Sequence, residues 1–506
     1  MAKLALVVLC ALIALVSGGP AAGGTEPEAP ELEIVRRAAD RIQVEADWDP
    51  RCDRTLPGTG GPLSLYGALA VSCRELTGRL DHRHAALERV RAVIGSSCPG
   101  ERFEHRLRDF NNTRSHGEVL AVLAIAAEEI EEALFLAEHG GPPAFPVLRS
   151  NAEIELALRA LAREQPRWFR YGELGESVQG RAIPYLHVTD HHSSRAKRGV
   201  WIDAGIHGFE VACPEVVVGF AEHLGARITG AGAPAWLGAL ELFLVPVLNP
   251  DGRAFCMRPP YPVQRRNLAP VDDDGDGRVD EEAFRDLNGD GRIAALTVAG
   301  GEPTYESLDA DGDGAFGEDL PGGVDLNRDY PVASRRRPAG WRPQPETESV
   351  LAFWHAHPRI VLAVSYHTSR NMIIAPYAPL SDAEQARYGR LAEHYLGHFP
   401  GVYWQPHANP DEYGVHRPLT GMNVEWFHAA RGATAFIVEI GPDAGPRDRG
   451  HRLERLRLPG GRSAHTYRIA GGYYRTVENR VEREIESQRA RHAAYLTELV
   501  QALDSY

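Results

Sequence analysis

Four short apolar runs, each ending in residues able to do chemistry, constrain this chain more than any other feature. They occupy residues 199–204, 242–248, 360–364 and 435–438. Each is rich in Val, Ile, Leu or Phe, as a strand covered on both faces should be. Segments with helical patterning lie between them, for example residues 213–224 and 346–355. The alternation predicts an α/β fold with a mixed, mostly parallel central sheet and helices on both faces.

The first run leads into Gly205-Ile206-His207-Gly208-Phe209-Glu210, and the second into Asn249-Pro250-Asp251-Gly252. The third ends at Ser365-Tyr366-His367 and the fourth at Glu439. Open α/β sheets bind ligands beyond the carboxyl ends of their strands. Separate strands delivering two His and two Glu to one edge therefore point to a metal site. Two imidazoles and one carboxylate leave a fourth position open, which suits catalytic zinc. His207-x-x-Glu210 alone is weak, because that spacing arises by chance in a chain with 21 His. Its place directly after a strand, beside Gly205 and Gly208, gives it force.

Taken together, these segments resemble the zinc carboxypeptidase family, the carboxypeptidase A-like metallopeptidases, over about residues 151–442. The stretch Gly175-Glu176-Ser177-Val178-Gln179-Gly180-Arg181 is similar to the family's Gly-x-Ser-x-x-Gly-Arg lead-in. The resemblance implies that His207, Glu210 and His367 are zinc ligands and that Glu439 is the catalytic carboxylate. It places Asn327 and Arg328, in Asp325-Leu326-Asn327-Arg328, on the substrate's terminal carboxylate. Arg265 would stand beside the scissile carbonyl, with Arg266 as an off-by-one alternative. Val424, two residues before Trp426, would floor an apolar side-chain pocket. No residue matches the family's mobile tyrosine cleanly, and Tyr413 is only a candidate. The implied activity is hydrolysis of C-terminal peptide bonds in peptides or proteins with a free C-terminus, by a zinc-activated water with a Glu general base. A cell-wall peptide hydrolase or N-acyl amino acid deacylase on the same scaffold is the alternative cut. A non-catalytic calcium-dependent binding protein is the alternative class, against which the complete set of His207, Glu210, His367 and Glu439 argues.

Charge is concentrated in one place. Residues 270–323 hold sixteen Asp and Glu against three Arg, a local net of −13 within a chain total of −14. The insert carries three loops: Asp272-x-Asp274-x-Asp276-Gly277, Asp286-x-Asn288-x-Asp290-Gly291 and Asp309-x-Asp311-x-Asp313-Gly314. Oxygen ligands at alternate positions before a turn glycine match the first half of an EF-hand loop, so calcium is expected as a second cofactor. The bidentate Glu of position 12 is missing, being replaced by Ala283, Thr297 and Leu320. Asp280 is among the carboxylates able to complete the shell. The insert fits the resemblance, which is to a bacterial-type family member with a similar Asp-rich insert. The remainder of the chain is near neutral and has no sustained basic block, which argues against nucleic acid as a partner.

Residues 1–19 read as a signal peptide: Lys3, an apolar stretch from Leu4 to Val16, then Ser17-Gly18-Gly19. Export to a secreted or periplasmic location follows, with no stable membrane span after cleavage, since the apolar stretch is too short to cross a bilayer. A linker (20–30) leads to a mainly helical domain of unknown role (31–139), and a Gly/Pro linker (140–150) to the catalytic domain (151–506). Five cysteines would remain after cleavage, an odd number that leaves at least one thiol free or paired between chains.

Overall fold

A computed structural model of the chain describes residues 29–52, 61–140, 147–289, 293–298, 303–310, 314–333, 335–368, 372–376, 380–399, 403–405, 420–441, 452–457, 463–467 and 479–503, with Pro143, Phe145, Gly291 and Gly312. The expected signal segment, Asp290, Asp311, Asp313 and Tyr413 lie outside the described residues. The chain divides into two compact units, Met1–Pro143 and Ala144–Tyr506.

The first unit contains helices α1 (Pro30–Arg41), α2 (Leu65–Thr77), α3 (Ala85–Ser97), α4 (Arg106–Thr113) and α5 (His116–His139). Ile34, Leu69, Leu87, Phe110 and Val122 are fully buried among them. Helix α5 starts with a reciprocal cap: Ser115 accepts from the Glu118 amide while Glu118 accepts from the Ser115 amide. Two end donors are thereby satisfied without water.

The second unit begins with α6 (Asn151–Glu164), β1 (Phe169–Glu176), β2 (Ala182–Val188), β3 (Arg198–Ala204), α7 (Cys213–Ala231), β4 (Leu240–Val245) and α8 (Pro250–Met257). Short strands β5 (Ala295–Val298) and β6 (Pro303–Tyr305) follow, then α9 (Pro345–Ala356), β7 (Ile360–Thr368) and β8 (Met372–Ile374). The remainder comprises α10 (Asp382–His398), β9 (Tyr403–Gln405), α11 (Asn423–Ala429), β10 (Thr434–Ile440), β11 (Arg452–Arg457), β12 (Ser463–Tyr467) and α12 (Asn479–Gln501).

Eight strands form one sheet in the order β1-β2-β4-β3-β7-β10-β8-β9. Its centre, β4-β3-β7-β10, is parallel throughout and corresponds to the four apolar runs. Side chains alternate between two cores, as strand geometry requires. Val200, Ile202 and Ala204 face a core shared with Val217 of α7 and Leu496 of α12. Trp201 faces the opposite core with Trp354 of α9 and Phe427 of α11. Each such side chain contributes about 1.5–3 kcal/mol on full burial. Clamping from both faces holds the sheet still, so its strand ends can present polar groups in fixed positions.

A second, four-stranded antiparallel sheet has the order β11-β12-β5-β6. Two of its strands belong to the acidic insert, which the sequence reading treated only as loops. The tail helix is described over Asn479–Gln501. Among the described residues no helix is long and apolar enough to cross a membrane. Among the described residues Cys52, Cys73, Cys98, Cys213 and Cys256 form no disulfide with one another.

Candidate metal centre

Beyond β3 the chain turns at Gly205, whose φ of +65° favours glycine. A Cβ on Gly208 would lie 2.6 Å from the Gly252 carbonyl carbon and 2.7 Å from the Gln264 oxygen, so no side chain fits there. Asn249 binds the neighbouring loops together: its Nδ2 donates to Ile206 O (3.3 Å) and Arg266 O (3.1 Å), and its Oδ1 accepts from Gly252 N (2.9 Å). Asp251 takes the lead-in turn, accepting from Gln179 N at 2.9 Å and Arg181 Nη1 at 2.6 Å. The sequence motifs thus pin one another at the sheet's carboxyl edge.

That frame brings His207, Glu210 and His367 together, each no more than 2% exposed. His207 Nδ1 lies 2.8 Å from Glu210 Oε1, and His367 Nδ1 lies 3.0 Å from Glu210 Oε2. The two Nδ1 atoms face each other at 3.1 Å. A tetrahedral zinc with bonds of about 2.0–2.2 Å sets its donor atoms roughly 3.3 Å apart. The observed spacings are close to that, and the donor set, two imidazoles and a carboxylate, is one zinc accepts. The residues therefore fit the metal. Burial alone would push the Glu210 carboxyl up, but the adjacent imidazoles of His207 and His367 outweigh it and hold it below the usual range. Burial likewise pushes His367 down, and the Glu210 charge outweighs it.

Both histidines have partners behind them that sequence reasoning missed. Asp325 Oδ1 stands 3.4 Å from His207 Nε2, while its Oδ2 accepts from Arg265 Nε at 2.8 Å. Burial would raise the Asp325 carboxyl, yet Arg265 and then His207 hold it well below its ordinary value. A carboxylate on the outer ring nitrogen fixes tautomer and orientation. His367 Nε2 lies 3.5 Å from Ser365 Oγ, which donates to Asp203 Oδ1 at 2.6 Å. Asp203 also accepts from Trp201 Nε1 at 2.5 Å, and Asn423 Nδ2 donates to Ser365 Oγ at 2.9 Å. Complete burial pushes the Asp203 carboxyl up to about 6.

Glu439 is the register partner of His367 across the parallel β10–β7 pair, which sets it beside the group. Arg265, held by Asp325, feels the charges of Glu210 and Glu439 as well. Arg266 turns away to Asp273 in the insert (2.8 Å). Asn327 Oδ1 accepts from Asn423 N at 3.1 Å, and Arg328 Nη1 donates to Asn327 O at 2.7 Å. Burial pushes the Arg328 guanidinium down against the opposing charge of Asp325, with which it forms no ion pair among the described residues. Val424 is fully buried, in the core that also contains Ile437 and Trp426.

In the insert, Asp272, Asp274 and Asp276 bring carboxylate oxygens within 4.8 Å of one another. Asp272 accepts from Gly275 N and Gly277 N, and Asp286 repeats the pattern with Gly289 N and Gly291 N. Asp309 likewise accepts from Gly312 N. Asp280 instead donates its amide to Asp319 Oδ2 at 2.8 Å. Asn288 belongs to the second loop, directly before the capped Gly289. The neck of the insert is closed by this chain's own bonds: Asn267 N to Val324 O (2.9 Å), Gly323 N to Asn267 O (3.1 Å) and Val324 N to Asn267 Oδ1 (3.0 Å).

A sequence model described as zinc carboxypeptidase matches residues 154–445, more than half the chain, and spans every residue of the buried centre. The chain belongs to the zinc carboxypeptidase family. Zinc is the metal expected of that family at the His207–Glu210–His367 group. A model of a family of unknown function matches residues 26–129. Carboxypeptidase A2 of Rattus norvegicus is 30% identical over 137 residues, 26% of this chain and 32% of that protein. Carboxypeptidase A6 of Mus musculus is 32% identical over 114 residues, 22% of this chain and 25% of that protein. The matched stretch thus spans a third or less of these relatives. Among solved structures, bovine thrombin-activatable fibrinolysis inhibitor, in complex with tick carboxypeptidase inhibitor, aligns with a TM-score of 0.46 at 15% identity, covering 71% of this chain and 98% of that one. A metallo-carboxypeptidase from Burkholderia cenocepacia aligns with a TM-score of 0.44 at 15% identity, covering 71% and 70%.

Proposed function

We propose that this zinc carboxypeptidase family member is an exported metallocarboxypeptidase that removes residues from the free C-terminus of peptides or proteins. The observation that carries the reading is the convergence of His207, Glu210 and His367 with Glu439 in register beside them and Arg265 held at the same edge. Bound there, zinc supplies Lewis-acid polarisation of the peptide carbonyl and lowers the pKa of water at its open position.

The chain's own residues do the rest. Arg328, half-buried and with no carboxylate within ion-pair distance among the described residues, grips the substrate's terminal carboxylate with Asn327 beside it. Arg265 stabilises negative charge developing on the carbonyl oxygen, its guanidinium positioned by Asp325. Glu439 takes a proton from the attacking water and passes it to the leaving amine. Val424 floors an apolar side-chain pocket, giving preference for apolar terminal residues. The charge–apolar–small order of residues 1–19 supports a secreted or periplasmic location. Calcium at Asp272, Asp274 and Asp276 orders the tip of the insert, while Asn267 closes its neck independently.

Glu439→Gln should lower turnover by about 10²–10⁴-fold, the usual share of a general base, with zinc content unchanged. The assay is hydrolysis of paired free-acid and amidated peptides by mass spectrometry. Undiminished turnover in the variant, or equal cleavage of acid and amide, would sink the proposal.

A further inference from the structure

We propose a second zinc site, formed by His394, His398 and Glu498 on the surface of the second unit. His394 and His398 lie one turn apart on one face of α10, the spacing at which two side chains on a helix meet. Glu498 comes from α12, a hundred residues further along the chain. His398 Nε2 is 3.0 Å from Glu498 Oε2 and His394 Nε2 is 3.5 Å from the same oxygen. All three donor atoms lie within 4.8 Å of one another. These edges bracket the roughly 3.3 Å expected between donors of a tetrahedral zinc. The donor set repeats the buried centre: two imidazoles and one carboxylate.

The frame is already assembled. Tyr495, one turn before Glu498 and fully buried, sets its ring 5.4 Å from that of His394 and 5.7 Å from that of His398. Arg491 Nη2 donates to His398 O at 2.7 Å, tying the end of α10 to α12. The imidazoles are about one-fifth exposed and the Glu498 side chain more than half exposed, so a cation can enter from solvent and keep a water at its fourth position. Two imidazole nitrogens aimed at one carboxylate oxygen would each spend a proton on it; one divalent cation replaces both. Imidazole with carboxylate suits zinc above calcium or magnesium, which prefer all-oxygen shells. Bound zinc would join α10 to α12 across the surface. Nothing in this inference depends on peptidase activity.

The test is zinc stoichiometry of the full chain after equilibrium dialysis in zinc-buffered solution near neutral pH. Wild type should bind one equivalent more than His394→Ala/His398→Ala, and Glu498→Gln, isosteric and exposed, should reproduce the loss. Zinc should also raise the Tm of wild type above that of both variants. Glu210→Gln separates the two centres: it removes zinc from the buried group and leaves the surface equivalent in place. Equal stoichiometry in wild type and both surface variants would overturn the site, whatever the fate of the buried one.

Discussion

The second unit holds two groups of the same composition, His207–Glu210–His367 inside and His394–His398–Glu498 at the rim, and they differ chiefly in what stands behind each imidazole. Behind His207 is Asp325, itself braced by Arg265, and behind His367 is Ser365, braced by Asp203 and Asn423. Behind the rim imidazoles is the aromatic ring of Tyr495, in tilted and edge-on contact with them. The inner ligands are almost wholly removed from water, whereas Glu498 is mostly in it. Composition therefore does not decide what a His–His–Glu group can do. Buried outer partners fix tautomers and strengthen every charge interaction, which suits catalysis; a solvent-facing group held by tilted and edge-on ring contacts suits a structural clamp.

Removing an outer partner should discriminate most sharply between the two groups. Asp325→Asn leaves the volume unchanged but withdraws the charge from His207 Nε2 and Arg265. Zinc affinity of the buried centre should fall by about 10–100-fold, read by competition with a chromophoric chelator, and the rim equivalent should stay as in wild type. If both centres weaken together, the difference in outer partners is not what separates them.

A smaller effect is expected from acid, on the rim side. His492 of α12 is buried against Phe399 and Tyr366, with its Nδ1 3.2 Å from the Tyr366 hydroxyl. Burial, then the positive charge of Arg491 and the nearby His398 ring, push its pKa down to about 3. The fold thus accommodates the neutral ring. The unfolded chain takes up the proton first, so this contribution to stability is full above about pH 6.5 and is lost as pH falls towards 3. Between pH 7 and 5 the loss is roughly 2 kcal/mol. The Tm of His492→Phe should drop less over that interval than that of wild type; an identical drop would remove His492 as the cause.

Much of the inner group was legible because a strand buried on both faces reads as a continuous apolar run, and the residue after it is forced to the sheet's edge. His207, Glu210, His367 and Glu439 could be found that way. Asp325 was in view within Asp325-Leu326-Asn327-Arg328, yet only the last two residues were given roles; asking which carboxylate orients a metal-binding histidine would have picked it out. Asp203, Ser365 and Asn423 carry no local signal, since their meeting depends on neighbouring strands β3 and β7 and on α11. The strands of the insert were missed for a related reason. β5 and β6 are short, and β5 pairs with β12 more than 150 residues further on, so neither has a pattern of its own. The spacing of His394 and His398 is visible in sequence, but their distance from Glu498 is not.

The least severe test concerns Ser365. Its hydroxyl donates to Asp203 at 2.6 Å, so the oxygen's lone pairs are left to accept from His367 Nε2–H and from Asn423. That polarity dictates the His367 tautomer, with the proton on Nε2 and the lone pair of Nδ1 turned towards Glu210. The 3.5 Å reach is longer than a strong hydrogen bond, and the charge acts through an intervening hydroxyl. Ser365→Ala should therefore weaken zinc at the buried centre by about tenfold, the lower end of the range for outer partners. Ser365→Thr, which retains the hydroxyl, should recover much of that loss. If alanine and threonine behave alike, the serine is only filling space between β3 and β7, and the buried centre relies on Asp325 alone for its advantage over the rim.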